Sequence, residues 1–191
     1  MQRIESNGRL QIGSIMPAFT LPNTHPDCGD ATIAAFDYFI GATASLVLFT
    51  CNHCPYVKGS EKLLNQTIAE FLTQGLRVLA ISANDSVAYP DDGKEKMSLK
   101  CIQEHLQYPY LFDQTQEVAK SFDAQCTPEC FLFDKERRLV YQGALTDSPR
   151  SPEAVTANYL QRACAQLLAG SQVNPAEVKP LGCSIKWNFT K

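Results

Sequence analysis

The sequence predicts an α/β fold in which a central mixed sheet is flanked by helices. The run Leu46-Val47-Leu48-Phe49 is continuously apolar, which is typical of a strand covered on both faces. Apolar residues then recur at helical spacing from Leu63 to Leu72, and Gly75 is well placed to end that helix. A second apolar run over residues 78–81 completes a βαβ unit, whose crossover we expect to be right-handed.

Shorter elements follow this unit along the chain. Residues 84–93 contain several Asp and Pro residues and predict a loop, after which a helix is expected over residues 97–106. A short helix is predicted over residues 116–122. Residues 131–133 and 139–141 are two apolar stretches separated by five polar residues, a pattern that predicts a β-hairpin.

The last predicted helix begins near Ser151-Pro152, because Ser is a common N-cap and Pro suits the first helical position. The order βαβ, α, ββ and α is that of the thioredoxin core. We therefore expect a single thioredoxin-like domain over residues 1–191. It would carry an N-terminal extension (1–45), an insertion after the second core strand (84–112) and a C-terminal tail (171–191).

Composition excludes several classes of protein. The 191 residues are 45% hydrophobic and 19% charged, which is enough for one globular domain with a substantial core. The net charge is -3 and the basic residues are scattered, so we expect no nucleic acid partner. No apolar run approaches the roughly 20 residues of a membrane span, and the start of the chain lacks a secretory signal. The sequence predicts a soluble cytoplasmic protein with no membrane partner.

Eight cysteines are many for that compartment, and their placement is informative. Cys51 and Cys54 form one close pair, and Cys126 and Cys130 form another. The other four are well separated along the chain: Cys28, Cys101, Cys164 and Cys183. Because Cys101 and Cys164 fall in helix-like segments, we predict that both are small core residues.

The pair Cys51-Asn52-His53-Cys54 lies between a predicted buried strand and a helix. Backbone N–H groups and the helix dipole stabilise an anion there, so we predict that Cys51 is the nucleophile towards a disulfide or peroxide. Cys54 would resolve the adduct. This redox interpretation, which we favour, needs no metal and no cofactor. The alternative is a metal site, since Cys-x-x-Cys also suits zinc, with Cys126 and Cys130 as a second pair of ligands or with His53 as a further ligand.

Two further features would support the pair. A cationic His53 would favour the Cys51 thiolate and make the disulfide more oxidising. Thr127-Pro128 stands just before a predicted strand, where thioredoxin folds carry a cis-proline that faces the cysteines. We predict that Pro128 is cis and that its turn offers backbone groups to an extended substrate.

Two more cysteines have open assignments. Cys126 lies two residues before Pro128, so it is either a third thiol close to the pair or a buried bystander. Cys183 lies in the tail beside Trp187, where it would either fold back over the active site or serve as a packed anchor.

Several motifs occur in order and are more specific than any single one. They are Phe49-Thr50-Cys51-Asn52-His53-Cys54-Pro55-Tyr56-Val57-Lys58, Asn84-Asp85, Tyr89-Pro90-Asp91-Asp92, Tyr110-Leu111-Phe112-Asp113, Thr115-Gln116-Glu117-Val118-Ala119, Cys126-Thr127-Pro128 and Gly182-Cys183-Ser184-Ile185-Lys186-Trp187. From about Gly13 to Trp187 the sequence resembles the peroxiredoxin-like, AhpC/TSA-related branch of the thioredoxin superfamily. The resemblance implies a thioredoxin-like fold and thiol-based redox chemistry.

The sequence departs from that family at two positions. Peroxiredoxins normally show Pro-x-x-x-Thr-x-x-Cys, and if Cys54 is aligned with the peroxide-attacking cysteine, Cys51 replaces the Thr. Cys130 stands where an apolar residue is expected after Cys-Thr-Pro-Glu. We therefore predict a thiol-disulfide oxidoreductase, with a thiol-dependent peroxidase or a metal-binding module as alternatives. Its partners would be a protein or small-molecule disulfide, or a peroxide, and an unidentified thiol electron donor.

Overall fold

A computed structural model describes residues 10–188. In this range the strands are β1 (Thr20–Pro22), β2 (Thr32–Ala34), β3 (Ala44–Phe49), β4 (Leu76–Ser82), β5 (Tyr110–Phe112), β6 (Cys126–Thr127), β7 (Glu129–Phe133), β8 (Leu139–Gly143), β9 (Glu177–Val178) and β10 (Cys183–Ser184). The helices are α1 (Ala35–Tyr38), α2 (Pro55–Leu72), α3 (Lys94–Gln103), α4 (Glu117–Ser121) and α5 (Tyr159–Leu168). Three short 3-10 turns lie at Pro26–Cys28, Pro90–Asp92 and Pro152–Ala154.

Six strands form the central sheet in the order β5-β4-β3-β7-β8-β9. The strands β3, β4 and β5 run parallel, whereas β7 is antiparallel to both β3 and β8. In this register Leu46 of β3 faces Val78 of β4 on one side and Leu132 of β7 on the other. The predicted α/β class with a mixed central sheet is confirmed.

The two faces of the sheet bury alternate residues of the same strands, because side chains alternate along a strand. Leu46 and Leu48 face a core completed by α2, α3 and α5. Val47 and Phe49 face a second core completed by the β1–β2 hairpin and α4. Each fully buried Leu or Phe contributes about 1.5–3 kcal/mol. This double cover holds β3 rigidly and so fixes the position of the cysteines that follow it.

The predicted start of the last helix is wrong. Residues around Pro152 form only a 3-10 turn, and α5 begins at Tyr159. The Asp147 carboxylate accepts hydrogen bonds from the backbone N–H groups of Thr156 and Ala157, which holds these residues outside the helix. Asn158 then caps α5, because its side chain accepts a hydrogen bond from the N–H of Gln161.

The segments outside the predicted core pack against it. Residues 10–43 contain the β1–β2 hairpin and α1, residues 84–112 contain α3 and β5, and β10 of the tail pairs with β6. Parts of the predicted extension and tail, residues 1–9 and 189–191, lie outside the described residues. Between residues 10 and 188 there is no helix long and apolar enough to cross a membrane.

Candidate active site

The cysteine pair lies where β3 ends and α2 begins. Cys54 is the residue just before α2, and Pro55 occupies the first helical position. A backbone N–H at that position would have no partner within the helix, so proline loses no hydrogen bond there. Cys51 and Cys54 are both fully buried free thiols. The sheet thus presents both sulfur atoms at the start of a helix, as the sequence predicts.

The turn before β7 faces both cysteines. The Thr127–Pro128 peptide bond is cis, as predicted. Thr127 Oγ1 lies 3.2 Å from Cys51 Sγ, and Cys54 Sγ donates to the carbonyl oxygen of Thr127 at 3.3 Å. Thr127 therefore contacts one thiol through its side chain and the other through its backbone.

A third thiol completes the cluster. Cys183 Sγ lies 2.7 Å from Cys54 Sγ, and the Cys183 side chain is partly exposed. Its strand β10 pairs antiparallel with β6, so that Cys183 is opposite Thr127. Of the two assignments that the sequence left open, the structure has the tail folded back over the cysteine pair.

The other close pair of cysteines, Cys126 and Cys130, lies on either side of the cis-proline Pro128. Cys126 is buried beside the turn, with its Sγ 4.0 Å from the carbonyl oxygen of Pro128, and its exchange with the pair stays a prediction. Cys130 is fully buried in the core under α5. Burial, followed by the charge of Cys164, raises the pKa of Cys130 well above its usual range. Cys130 is therefore a core residue.

A buried carboxylate organises the loop between the cysteines. Asp92 is fully buried, and its Oδ1 accepts a hydrogen bond from the Asn52 N–H at 2.6 Å. Its Oδ2 lies 2.6 Å from His53 Nδ1 and accepts a hydrogen bond from the Asn84 side chain at 2.8 Å. The His53 ring also stacks on Tyr89, with centroids 5.0 Å apart. These contacts fix His53 beside Cys51, where its predicted effect on the thiolate stays a prediction.

The same residues bear on the alternative of a metal site. Ligand atoms of Cys51, His53 and Asp92 lie within 4.8 Å of one another, and their types suit zinc. This set contains Cys51 and His53, which the sequence suggested as ligands, and has Asp92 in place of the other cysteines. Both oxygens of Asp92 already accept or share hydrogen bonds, so binding a metal would require these bonds to rearrange.

Electrostatics distinguish the two thiols of the pair. The Cys51 thiol and then the Cys183 thiol hold the pKa of Cys54 well below its usual range, although burial opposes them. The proton shared with Cys54, burial and the Asp92 carboxylate raise the pKa of Cys51. In the reduced state the negative charge is therefore better stabilised on Cys54, between two neighbouring thiols, than on Cys51.

Several polar residues around the loop were not predicted to have a role. Asp92 and Asn84 belong to motifs of the sequence, but their Asp- and Pro-rich surroundings indicate only a loop. The Tyr110 hydroxyl donates to Asn52 Oδ1 at 3.1 Å. Lys100 Nζ contacts the carbonyl oxygen of Cys51 at 3.5 Å and pairs with Glu61. The signal for Asp92 in the sequence was its place in the Tyr89-Pro90-Asp91-Asp92 motif, which assigns it no role.

Solved structures similar to this chain include two full-length relatives without a described activity. One is an uncharacterized conserved protein from Geobacillus kaustophilus, with 35% identity, a TM-score of 0.86 and coverage of 95% of this chain and 94% of that chain. The other is a hypothetical protein from Sinorhizobium meliloti 1021, with 34% identity, a TM-score of 0.86 and coverage of 96% and 98%. Among curated proteins no relative matches.

A more distant structure shows the fold alone. It is the peroxidoxin BcpB from Mycobacterium tuberculosis, with 15% identity, a TM-score of 0.58 and coverage of 84% of this chain and 96% of that chain. The family model described as the AhpC/TSA family matches residues 12–142, which contain the cysteine pair and the Thr127-Pro128 turn. The chain belongs to the AhpC/TSA family, in the peroxiredoxin-like branch of the thioredoxin superfamily.

Proposed function

We propose that this protein is a thiol-disulfide oxidoreductase in which Cys51 and Cys54 alternate between a dithiol and a disulfide. The observation that supports it most strongly is the placement of both thiols at the start of α2, each in contact with Thr127. The Thr127 hydroxyl can donate to a Cys51 thiolate, and backbone N–H groups at the start of α2 can donate to a Cys54 thiolate. The thiolate is the reactive form in exchange.

The reaction has two exchange steps. A thiolate of the pair attacks one sulfur of the substrate disulfide, whose S–S bond breaks and whose second sulfur leaves as a thiolate and takes up a proton. The other thiol of the pair then loses its proton and attacks the mixed disulfide, releasing the first substrate thiol. The protein is left with a Cys51–Cys54 disulfide, and two thiols of an electron donor reduce it again. The substrate would be a protein or small-molecule disulfide.

The order of attack within the pair is a separate question. The position in the sequence predicts Cys51 as nucleophile and Cys54 as resolver, which is the order in our proposal. The contacts of the reduced state favour the reverse order, because two thiols flank Cys54 whereas the Asp92 carboxylate disfavours a Cys51 thiolate. Trapping experiments with each serine variant distinguish these orders.

A thiol-dependent peroxidase is the second candidate, and the stabilised Cys54 thiolate favours it. If Cys54 is aligned with the peroxide-attacking cysteine of peroxiredoxins, Cys54 is the thiol that meets the peroxide. It would break the O–O bond to give a sulfenic acid and water or an alcohol, and a second thiol would then form a disulfide and release water. Cys51 stands where these enzymes have Thr, so the usual peroxide-supporting hydroxyl would be missing at that position.

The test counts thiols in purified protein before and after oxidised glutathione, together with metal analysis. Loss of two thiols per chain without bound metal supports the proposal, and bound zinc at one equivalent would instead support the metal-binding alternative. We expect Cys51→Ser to abolish steady-state turnover of the substrate disulfide, a measurement separate from prolonged oxidation of its remaining thiols, and Cys54→Ser to accumulate mixed disulfide. Trapping by Cys51→Ser alone would reverse the order.

Cys28→Ser is the matched control for these variants, because Cys28 is a partly exposed free thiol outside the site. It should retain full turnover. Hydrogen peroxide turnover in the same set of variants distinguishes the two enzymes: a peroxidase would consume peroxide faster than disulfide, and its rate would disappear with Cys54→Ser. Full activity of both Cys51→Ser and Cys54→Ser would eliminate both redox functions.

A further inference from the structure

The tail strand β10 lies against the segment that precedes Pro128. Its partner β6 contains Cys126 and Thr127, and the two strands run antiparallel. This is the edge where, in thioredoxin folds, an extended substrate pairs with the backbone beside the cis-proline. The protein's own tail therefore occupies the position that the sequence assigned to a substrate.

Several contacts hold the tail in that position. Ile185 is buried in the core beside α4. The Lys186 N–H donates to Asn84 Oδ1 at 2.8 Å, and its carbonyl oxygen accepts from the Asp85 N–H at 2.8 Å. On the other side, a Cβ at Gly182 would lie 2.2 Å from the carbonyl oxygen of Thr127, so only glycine permits this approach. The tail is thus docked closely and specifically.

The docking brings three sulfur atoms together around Cys54. Cys54 Sγ lies 2.7 Å from Cys183 Sγ, and its thiol also interacts with that of Cys51. Cys51 and Cys54 are fully buried, whereas Cys183 is partly exposed. Cys54 is the central sulfur, and Cys183 is the one of the three that solvent reaches.

We propose that Cys183 is a third redox thiol, which exchanges with the Cys51–Cys54 disulfide to form a Cys54–Cys183 disulfide and serves as the point of attack for the electron donor. This proposal rests on the proposed function, because it needs the first disulfide as its starting point. It gives the tail a catalytic role in place of a purely structural one.

The exchange is balanced within the chain. The Cys183 thiol loses its proton and its sulfur attacks Cys54 Sγ; the Cys51–Cys54 bond breaks and Cys51 leaves with the electron pair. Cys51 then takes up the proton, which its buried position beside Asp92 favours. One disulfide replaces another, so no external oxidant is consumed.

Reduction would then begin at the surface. A dithiol donor attacks Cys183 Sγ, and Cys54 leaves as a thiolate, which the neighbouring Cys51 thiol stabilises. The donor's second thiol releases Cys183 from the mixed disulfide, so the donor is oxidised by two electrons and the protein is fully reduced. With Cys183 accessible, the donor need not reach the two buried cysteines.

The test uses Cys51→Ser, in which the first disulfide cannot form. We oxidise the full chain with oxidised glutathione, alkylate free thiols and map non-reduced tryptic peptides. The expected product links residues 10–58 to residues 163–186, with two thiols lost per chain. Because these peptides also contain Cys28 and Cys164, further variants identify the linked residues.

The link should disappear in Cys51→Ser/Cys183→Ser and persist in Cys51→Ser/Cys28→Ser and Cys51→Ser/Cys164→Ala. Far-ultraviolet circular dichroism checks that each variant is folded, and Cys51→Ser/Cys183→Ala repeats the key comparison with a second replacement. Persistence of the link without Cys183, or two free thiols at Cys54 and Cys183 in folded Cys51→Ser, would overturn the proposal.

Failure of this proposal is distinguishable from failure of the proposed function. Cys183→Ser retains Cys51 and Cys54, so it should still lose two thiols to a Cys51–Cys54 disulfide. Its reduction by dithiothreitol should be slower than that of wild type, because the donor must then reach a buried bond. If the disulfide forms and is reduced at the wild-type rate, Cys183 has no redox role, although the oxidoreductase function stands.

Discussion

Two groups of cysteines in this protein are equally buried but differ in their surroundings. Cys130 and Cys164 lie in the core beneath α5, where apolar side chains surround them, and burial raises the pKa of both. Cys51 and Cys54 are also fully buried, yet Thr127 and a neighbouring thiol contact them. Neighbouring thiols lower the pKa of Cys54, whereas the pKa of Cys51 is raised, as in the core cysteines. We therefore expect polar neighbours, more than exposure, to distinguish the thiols of the proposed redox pair from those of the core.

The largest expected effect on stability is for Asp92, whose carboxylate holds the loop between Cys51 and Cys54. Asp92→Asn replaces a buried carboxylate by an amide whose NH2 group would face N–H donors, so we expect a loss of about 3 kcal/mol in the free energy of unfolding. Removing the negative charge should also lower the pKa of Cys51, since Asp92 raises it. Urea unfolding and thiolate absorbance against pH measure the two effects.

Asp91→Asn is the matched control, because the Asp91 side chain is exposed. It should leave both quantities nearly unchanged. Equal stability of the two variants would mean that the hydrogen bonds of Asp92 do not hold the loop.

The next largest effect on stability is expected for Cys130, one of the two cysteines in the core beneath α5. Cys130→Ser places a hydroxyl in an apolar core, which should cost about 1–3 kcal/mol in the free energy of unfolding. The number of thiols lost on oxidation should stay at two, because Cys130 lies outside the reactive cluster. A variant of full stability, or one that no longer forms the disulfide, would contradict the division into two groups.

His53→Ala removes one partner of the fully buried Asp92 carboxylate, whose Oδ2 keeps the hydrogen bond from Asn84, so its cost in stability should be about 1 kcal/mol. Asp92 would keep its hydrogen bonds from Asn52 and Asn84, and the imidazole that is predicted to favour the Cys51 thiolate would be gone. We expect the pKa of Cys51 to rise and the disulfide to become harder to reduce, measured by thiolate absorbance and by equilibrium with glutathione. An unchanged pKa and potential would leave His53 with a structural role only.

The smallest effect on stability is expected for Cys183→Ala, within about 0.5 kcal/mol, because the side chain is partly exposed. The Cys183 thiol lowers the pKa of Cys54, so its removal should raise that pKa. The rate of Cys54 alkylation against pH should then shift to higher pH. A profile identical to that of wild type would show that Cys183 does not stabilise the Cys54 thiolate.

Local patterns were sufficient to predict the core of the fold. The apolar run of β3, the helical spacing in α2 and the position of Pro128 all depend on neighbouring residues, and the structure has each of them. The predicted start of α5 was wrong because the Asp147 carboxylate accepts hydrogen bonds from backbone N–H groups about ten residues further along the chain. The contact of Cys54 with Cys183 spans 129 residues, so no local pattern indicates it.

The short link between β9 and β10 keeps β10 close to β6, so β10 would compete with any extended peptide for the backbone of β6. Only residues 179–182 separate these strands, and a short link of this kind keeps a segment at an effective concentration of the order of millimolar. To displace β10, an extended peptide would have to be present above this effective concentration or bind the backbone of β6 more tightly than β10 does. Under our proposal, an extended substrate would have to displace β10 from β6 or react with Cys183 first.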